Sequence, residues 1–383
     1  MRFVQSRTSF RIMLQGVAVA LVLSLLVCPQ GHAQAVDEVP VEIPMESYPS
    51  VREKDFSKSE RSVVCSAVLA GLQPSQIQWQ VDLSAACKVS NQGQLGSCWS
   101  NSGIEMMNVI YRKAGLILPQ ERLSTDYYTT MSMKLKALRA LRNDKEITIN
   151  TMNGNMLPFA AQLFLAAGIV LENDFSLPSK EIRLEAGGEI VQRSIRTSPY
   201  FRQSFNQELA SAPKQQASVE AVLTKYLGRT DGVRTRPVPE SLRAKLMPRF
   251  YTAVENEKNP VLNPAVESSY ALIRTNFTTI DEKVRVALDA GFPVQIDLRH
   301  YSDSNLLMYS AATSFYEPIL ANPAETGNHA VFLKGYHLDA NGKIDWYLLQ
   351  NSWGDSFGEE GSASVSAQFI HNHVRLYSIP QSE

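Results

Sequence analysis

Residues 91–103 read NQGQLGSCWSNSG: small and polar residues, one cysteine, a tryptophan, then small residues again. The 383-residue chain holds only four cysteines, so a thiol in such company asks for a reason. Cys98 is either a small buried hydrophobe in a tight corner or a nucleophile that acts as its thiolate. The residues after it give it a place: Ile104, Met107, Ile110, Tyr111 and Ala114 recur at threes and fours, predicting a helix with one apolar stripe that runs to about Lys113. Cys98 then stands at a helix N-terminus, where the helix dipole favours a negatively charged sulfur.

Such a nucleophile also needs an imidazole, and the candidates are His300, His329, His337, His371 and His373. Near the C-terminus, HAVFLKGY and WYLLQNSWG flank the turn residues DANGK, a hairpin signal centred on Asn341-Gly342. His329 opens the first strand and Asn351 closes the second. An amide oxygen there can accept from the ring and fix its tautomer. A tight two-residue loop would set Asn351 opposite Phe332, three places from His329. For the two side chains to meet, the loop should be wider and centred nearer Ala340, or one strand should carry a bulge. Gln92, six residues before Cys98, can offer a side-chain N–H to an oxyanion beside the Cys98 backbone N–H. Each residue alone has a structural explanation, but four such explanations would all have to hold at once.

These segments resemble the papain-like cysteine peptidases. NQGQLGSCWSNSG looks like their cysteine segment, GNHAVFLKGY like their histidine segment and WYLLQNSWGDSFGEEG like their asparagine segment. VDLSAACKVSNQG, MNGNMLPFAAQLFLAAGIVLENDFS and IDEKVRVALDAGFPVQIDL also resemble the family, in its chain order, and the similarity covers about half the sequence. The resemblance implies an α+β fold of two lobes, a helical one carrying Cys98 and a β-rich one carrying His329, with the substrate cleft between. It implies Cys98 as nucleophile, His329 as general acid and base, Asn351 as its orienting partner and Gln92 as oxyanion donor. Trp353 would shield the His329–Asn351 hydrogen bond, with Trp99 in support, and Gly154, Asn155 and Asn328 would contact substrate. A peptide or protein substrate and no cofactor are expected.

The departures are informative. Leu95 and Met152 stand where the family usually has a disulfide, which suggests an apolar contact in its place. Asn155 replaces a residue whose backbone binds substrate, so its side chain is expected to narrow the approach. Phe357 stands where a second tryptophan is common. The large insertion at 176–279 and the tail VSAQFIHNHVRLYSI look more like the bleomycin hydrolase and aminopeptidase C branch. That branch limits cleavage to chain ends with a C-terminal arm, and only a short stub follows the matching strand here. The expectation is an endopeptidase; the rivals are an aminopeptidase of the bleomycin hydrolase type and a catalytically silent papain-like binding protein.

The bulk numbers narrow the remaining classes. With 44% hydrophobic and 20% charged residues, neither disorder nor a nucleic-acid role is indicated. Arg2, Arg7 and Arg11, the apolar run from Met13 to Val27 and Ala33-Gln34-Ala35 predict a signal peptide over 1–35, hence a periplasmic or secreted protein with no stable membrane insertion after its removal. Taking those three arginines from the 37 basic residues leaves 34 against 38 acidic ones, with no basic stripe to grip phosphates. Residues 36–60 are rich in Pro, Glu and Ser; 36–77 read as a leader or pro-segment able to inhibit the enzyme, and 78–383 as the peptidase domain. Lys, Arg, Glu and Gln dominate 176–279, where SVEAVLTKYL and PESLRAKLMPRFYTAVENEK predict a helical insertion. In an exported chain Cys65, Cys87 and Cys98 are an odd set: either all stay free, or Cys65 pairs with Cys87 and leaves Cys98 over. HNH at 371–373 lacks the acidic or further histidine neighbours of a metal site.

Overall fold

The computed structural model describes residues 77–93, 95–175, 181–186, 189–194, 201–254, 271–301, 307–310, 315–318, 325–355 and 357–381. The expected signal peptide, all but the last residue of the expected leader, and Cys65 lie outside them.

Strand β1, Val81–Asp82, leads through the 91–97 loop into helix α1, Cys98–Lys113. The boundaries of α1 are those its periodicity predicts. Its burial goes further than one stripe, since every residue from Trp99 to Tyr111 is buried; a helix covered all round is a central helix. Gly103 permits this, because a Cβ there would meet the Phe164 ring at 2.7 Å. Helix α2, Thr125–Arg142, is capped by the Ser124 side chain, which accepts from the Tyr127 N–H. Helix α3, Ile149–Met152, starts in a reciprocal cap between Thr148 and Thr151. Helix α4, Leu157–Ala167, takes Pro158 in its first turn and ends at Gly168, whose φ of 79° lies in the left-handed region.

The 176–279 segment is mixed rather than helical. It holds a hairpin of β2, Glu181–Ala186, and β3, Glu189–Ser194, then helices α5, Phe201–Ser211, α6, Gln216–Leu227, and α7, Glu240–Leu246. Strands β4, Arg249–Ala253, and β5, Ile273–Thr275, follow. The predicted helix over PESLRAKLMPRFYTAVENEK stops early because Pro248 excludes helical geometry from Met247, whose ψ is 122°. Beyond it, RFYTA finds a sheet edge to pair with, and tertiary pairing overrides local helical pattern.

Helix α8, Phe277–Asp289, starts at the Asn276 cap. After it come β6, Val294–Tyr301, β7, Leu307–Ser310, β8, Phe315–Pro318, β9, Glu325–Leu338, and β10, Ile344–Gln350. Strand β11, Ser362–Ser366, helix α9, Ala367–His373, and strand β12, Val374–Ile379, complete the chain. One sheet runs β5-β4-β12-β6-β9-β10-β11-β8-β7, with β1 on β9. Helices α1 and α4 share an apolar cluster with Phe250, Ala330 and Leu376 of the sheet, while Val294, Ile296, Leu298 and Val331 join residues of α8 and α9 in a second cluster. The fold is α+β: a helical part carrying Cys98 lies against a β-rich part carrying His329.

The β9–β10 hairpin turns through three residues, Ala340 to Gly342, closed by Asp339 N–H to Lys343 O at 2.8 Å. Its register then shifts twice, between Ile344 and Trp346 and between Leu348 and Leu349. The first shift leaves Asp345 as the extra residue on β10 and the second leaves Lys334 as the extra residue on β9, so the two cancel. Gln350 ends opposite Phe332, and Asn351 falls two places rather than three from His329.

Candidate active site

The loop before α1 is tied to the segment after β10 by its backbone. Gln92 N–H donates to Ser352 O at 2.8 Å, Gly354 N–H donates to Ser90 O at 3.0 Å, and Asn91 forms a β-bridge with Trp353. Gly96 lies against Asn153, whose Oδ1 accepts from the Gly96 N–H at 3.0 Å, and Gly154 N–H returns a bond to Gly96 O at 3.0 Å. A Cβ on Gly96 would meet the Asn153 side chain at 2.7 Å. The first turn of α1 is held from the sheet by Gln295, whose Nε2 donates to Trp99 O and Ser102 Oγ, each at 2.8 Å. Cys98 is thereby fixed as the first residue of the helix, as expected from its position.

His329 and Asn351 meet as the hairpin reading anticipates: His329 Nε2 lies 2.8 Å from Asn351 Oδ1. Asn351 Oδ1 also accepts from the Ser352 N–H at 2.7 Å. A backbone N–H only donates, so that atom of Asn351 is its oxygen, and the hydrogen of the His329 bond must sit on Nε2. Nδ1 is then the ring atom left for another partner. Both side chains are buried. The Trp353 ring stacks on His329 with centroids 4.9 Å apart and planes at 28°, and remains 38% exposed, a cover between the His329–Asn351 pair and solvent. Phe357, in the place of the second tryptophan, meets Trp353 edge-on at 5.5 Å. Trp99 is buried and stacks on Phe164, so its support is to the core beneath Cys98.

Gln92 is oriented by two bonds: its Nε2 donates to Leu95 O at 3.1 Å and its Oε1 accepts from Ser352 Oγ at 2.5 Å. Ser352, which sequence reasoning passed over, thus holds both Asn351 and Gln92; its one signal was adjacency to Asn351.

Burial pushes the Cys98 thiol above its ordinary value, and the negative charge of Asp297 adds to this; N–H groups of Ala330, Trp99 and Cys98 itself act in the opposite direction. The helix N-terminus does favour the thiolate, as the sequence suggests, but desolvation outweighs it. Cys87 shifts in the same direction, its thiol pushed up to about 12 by burial and then by Glu105. It is a free thiol in this structure, and its expected partner Cys65 lies outside the described residues.

The expected substrate contacts divide. Gly154 has a φ of 68° and nothing within 4 Å of where a Cβ would lie. Asn155 does not simply project: its Nδ2 donates to Ser132 Oγ of α2 at 2.5 Å, which draws the amide toward that helix. Asn328 is exposed on β9 beside His329. Lys136, also unforeseen, donates to Asn153 O at 3.1 Å and to Gly154 O, holding the 153–155 turn against α2. Leu95 and Met152 are both buried in one apolar cluster, shared with Phe201, Phe205, Leu223 and Tyr226 of α5 and α6.

Two of the other histidines, His337 and His371, are engaged elsewhere. His337 Nδ1 lies 2.6 Å from Asp345 Oδ1, and His371 Nε2 lies 3.0 Å from Asp281. Among the described residues no group of three His, Cys, Asp or Glu side chains is placed to hold a metal ion, and no helix is long and apolar enough to cross a membrane.

Residues 251–377 match the family described as papain family cysteine protease; His329 and Asn351 fall inside that stretch, while Gln92 and Cys98 precede it. A segment of 71 residues, 18% of the chain, is 35% identical to cathepsin C of Schistosoma mansoni and spans 15% of that relative's length. Among solved structures, PepW of Lactobacillus rhamnosus HN001 aligns over 79% of this chain and 82% of its own, with a TM-score of 0.43 and 15% identity. Xylellain, a cysteine protease from Xylella fastidiosa, aligns over 84% and 91%, with a TM-score of 0.41 and 14% identity.

Proposed function

We propose that this chain, whose residues 251–377 match the papain family of cysteine proteases, hydrolyses peptide bonds through Cys98. The observation that carries the reading is the His329–Asn351 bond with its Ser352 support. It keeps the hydrogen on Nε2 and leaves Nδ1 for a thiol proton. Cys98 sulfur attacks the scissile carbonyl carbon as its proton passes to His329 Nδ1. The oxyanion is met by the Gln92 Nε2–H and the Cys98 backbone N–H. Collapse of the tetrahedral adduct breaks the C–N bond, and His329 gives its proton to the leaving amine. Water then attacks the thioester while His329 accepts its proton, and the acid leaves as the thiol re-forms.

The finer reading is an exported enzyme that cuts within chains and is restrained by its leader, residues 36–77. Export rests on the arginines, apolar run and Ala33-Gln34-Ala35 of the N-terminal segment. Internal cleavage draws support from α5 and α6, whose apolar faces are engaged with Leu95 and Met152 and so are not available to lie across the cleft.

An epoxide affinity label for cysteine peptidases, followed by peptide mass spectrometry, should place the adduct on Cys98 and none on Cys87. A peptide blocked at both ends should be cut at an internal bond by the wild type and left intact by Cys98→Ala. Labelling with cleavage only of a free-amine peptide would replace this reading by an aminopeptidase. Absence of both labelling and cleavage would leave a silent binding protein.

A further inference from the structure

Strand β6 carries a carboxylate where an apolar strand has no structural use for one. Val294, Ile296 and Leu298 point into the cluster with residues of α8 and α9. Gln295 points the other way, to α1, through its bonds to Trp99 O and Ser102 Oγ. Side chains alternate along a strand, so Asp297 shares the face of Gln295 and lies one repeat, about 6.6 Å, further along it. That step leads toward Cys98. Asp297 is paired across β6–β9 with Ala330, and Cys98 packs against the apolar cluster to which Ala330 belongs. On its other side Asp297 is opposite Leu376 of β12. Ala330 and Leu376 are both apolar and both belong to the cluster around α1.

Among the described residues Asp297 accepts no hydrogen bond and forms no salt bridge. Arg375 on the neighbouring strand is felt through its field but makes no ion pair with it. The side chain is only partly covered, and its oxygens are not among the buried polar atoms that lack a partner. Its carboxylate therefore keeps some exposure. A half-buried carboxylate flanked by apolar side chains costs stability, and no bond within the fold offsets that.

We propose that Asp297 is a specificity residue that receives a cationic group of the substrate, an ammonium or guanidinium, within reach of Cys98. The inference rests on the cysteine-peptidase reading and deepens it by naming the chemistry of a preferred substrate. Two sources supply such a cation: a Lys or Arg side chain near the scissile bond, or a free terminal amine.

Peptides blocked at both ends, with Lys, Arg, norleucine or Glu placed in turn at each of the three residues before the scissile bond, separate the two sources when run beside free-amine peptides bearing norleucine. The wild type should prefer one cationic series over norleucine at least tenfold in kcat/KM, and Asp297→Asn should bring that ratio close to one. A preference confined to blocked Lys or Arg peptides identifies the side chain, and one confined to free-amine peptides identifies the terminus. To keep folding apart from recognition, rates of Cys98 alkylation by an epoxide bearing a guanidinium and by its neutral isostere are normalised to titratable Cys98 thiol; the same ratio should fall in Asp297→Asn. Cleavage and labelling with no charge preference in the wild type, or a preference unchanged in Asp297→Asn, overturns the proposal and leaves the peptidase reading standing. Labelling that discriminates by charge without any cleavage supports the cation site while refuting peptide hydrolysis.

Discussion

Asp297 is asked to ionise where solvation is poor, and burial pushes its carboxyl up from 3.8 to about 7, Arg375 opposing. In the unfolded chain the same group releases its proton near its ordinary value. Between roughly pH 4 and 7 the folded protein thus holds a proton that the unfolded chain has lost. A raised acid makes stability fall as pH rises through that window, and the full cost is present above it. An asparagine does not titrate, so Asp297→Asn should be more stable than the wild type at pH 8 and nearly equal to it at pH 4. Partial exposure limits the difference to about 1–3 kcal/mol. Urea unfolding of both proteins at the two pH values measures it; Cys98 and Arg375, the other ionisable groups felt here, are common to both and cancel. A gap that does not grow with pH would mean that Asp297 ionises as an ordinary surface acid. Cys98, His329, Asn351 and Gln92 were legible as candidates because local sequence marks each, through a helix start, a strand, a strand end or a loop, although His329, read as opening its strand, lies within β9, which starts at Glu325. Asp297, Ser352 and Lys136 were not, because each matters through a partner distant in sequence: Ala330, Gln92 and Gly154.

Elements bring His329 and Asn351 together through compensation. The three-residue turn sets one register, the extra residue Asp345 changes it and the extra residue Lys334 restores it. Lys334 is buried and donates to Gln350 Oε1 at 2.8 Å and to Ser362 Oγ at 2.7 Å. Its bulge is therefore anchored one residue from Asn351. Lys334→Met leaves those two acceptors without their cation and should cost about 1–3 kcal/mol, with kcat falling more than KM rises, since Asn351 orients the base rather than the substrate. Urea unfolding with steady-state kinetics separates the two effects; a stability loss with kcat intact would show that the register holds without the lysine. The hairpin and the need for a wider loop or a bulge were readable from HAVFLKGY-DANGK-WYLLQNSWG, yet the positions of the two shifts were not. Bulges answer to what the extra side chain can bond, and Gln350 and Ser362 come from different strands. The same limit applies to RFYTA: it looked helical in isolation and became β4 because β12 offered it an edge.

At the scale of the whole molecule, the insertion is part of the core beneath the loop that leads to Cys98. Phe205 of α5 is fully buried and stacks on Tyr226 of α6 with centroids 4.7 Å apart. Both belong to the cluster that holds Leu95, three residues before Cys98, and Met152, just before the 153–155 turn. The next residue of α5, Asn206, accepts through Oδ1 from the Ile149 N–H at 2.7 Å and so fixes the start of α3. The apolar pair that replaces a bridge is thus packed under two helices instead of being joined covalently. Phe205→Ala removes a large, fully buried side chain of this cluster and should cost about 3–5 kcal/mol. The kinetic consequence is local. At a temperature where the variant is still folded, the 153–155 turn, now held mainly by Lys136 and Gly96, should bind peptide less well, so KM should rise severalfold while kcat changes little, because the His329–Asn351 pair lies in the sheet and takes no part in this cluster. Circular dichroism melting together with kcat and KM on one blocked peptide tests both parts. Loss of stability with KM unchanged would show that the insertion only shields Leu95 and Met152 from water, whereas a fall in kcat of the same size as the rise in KM would show that loosening this cluster displaces Cys98 itself.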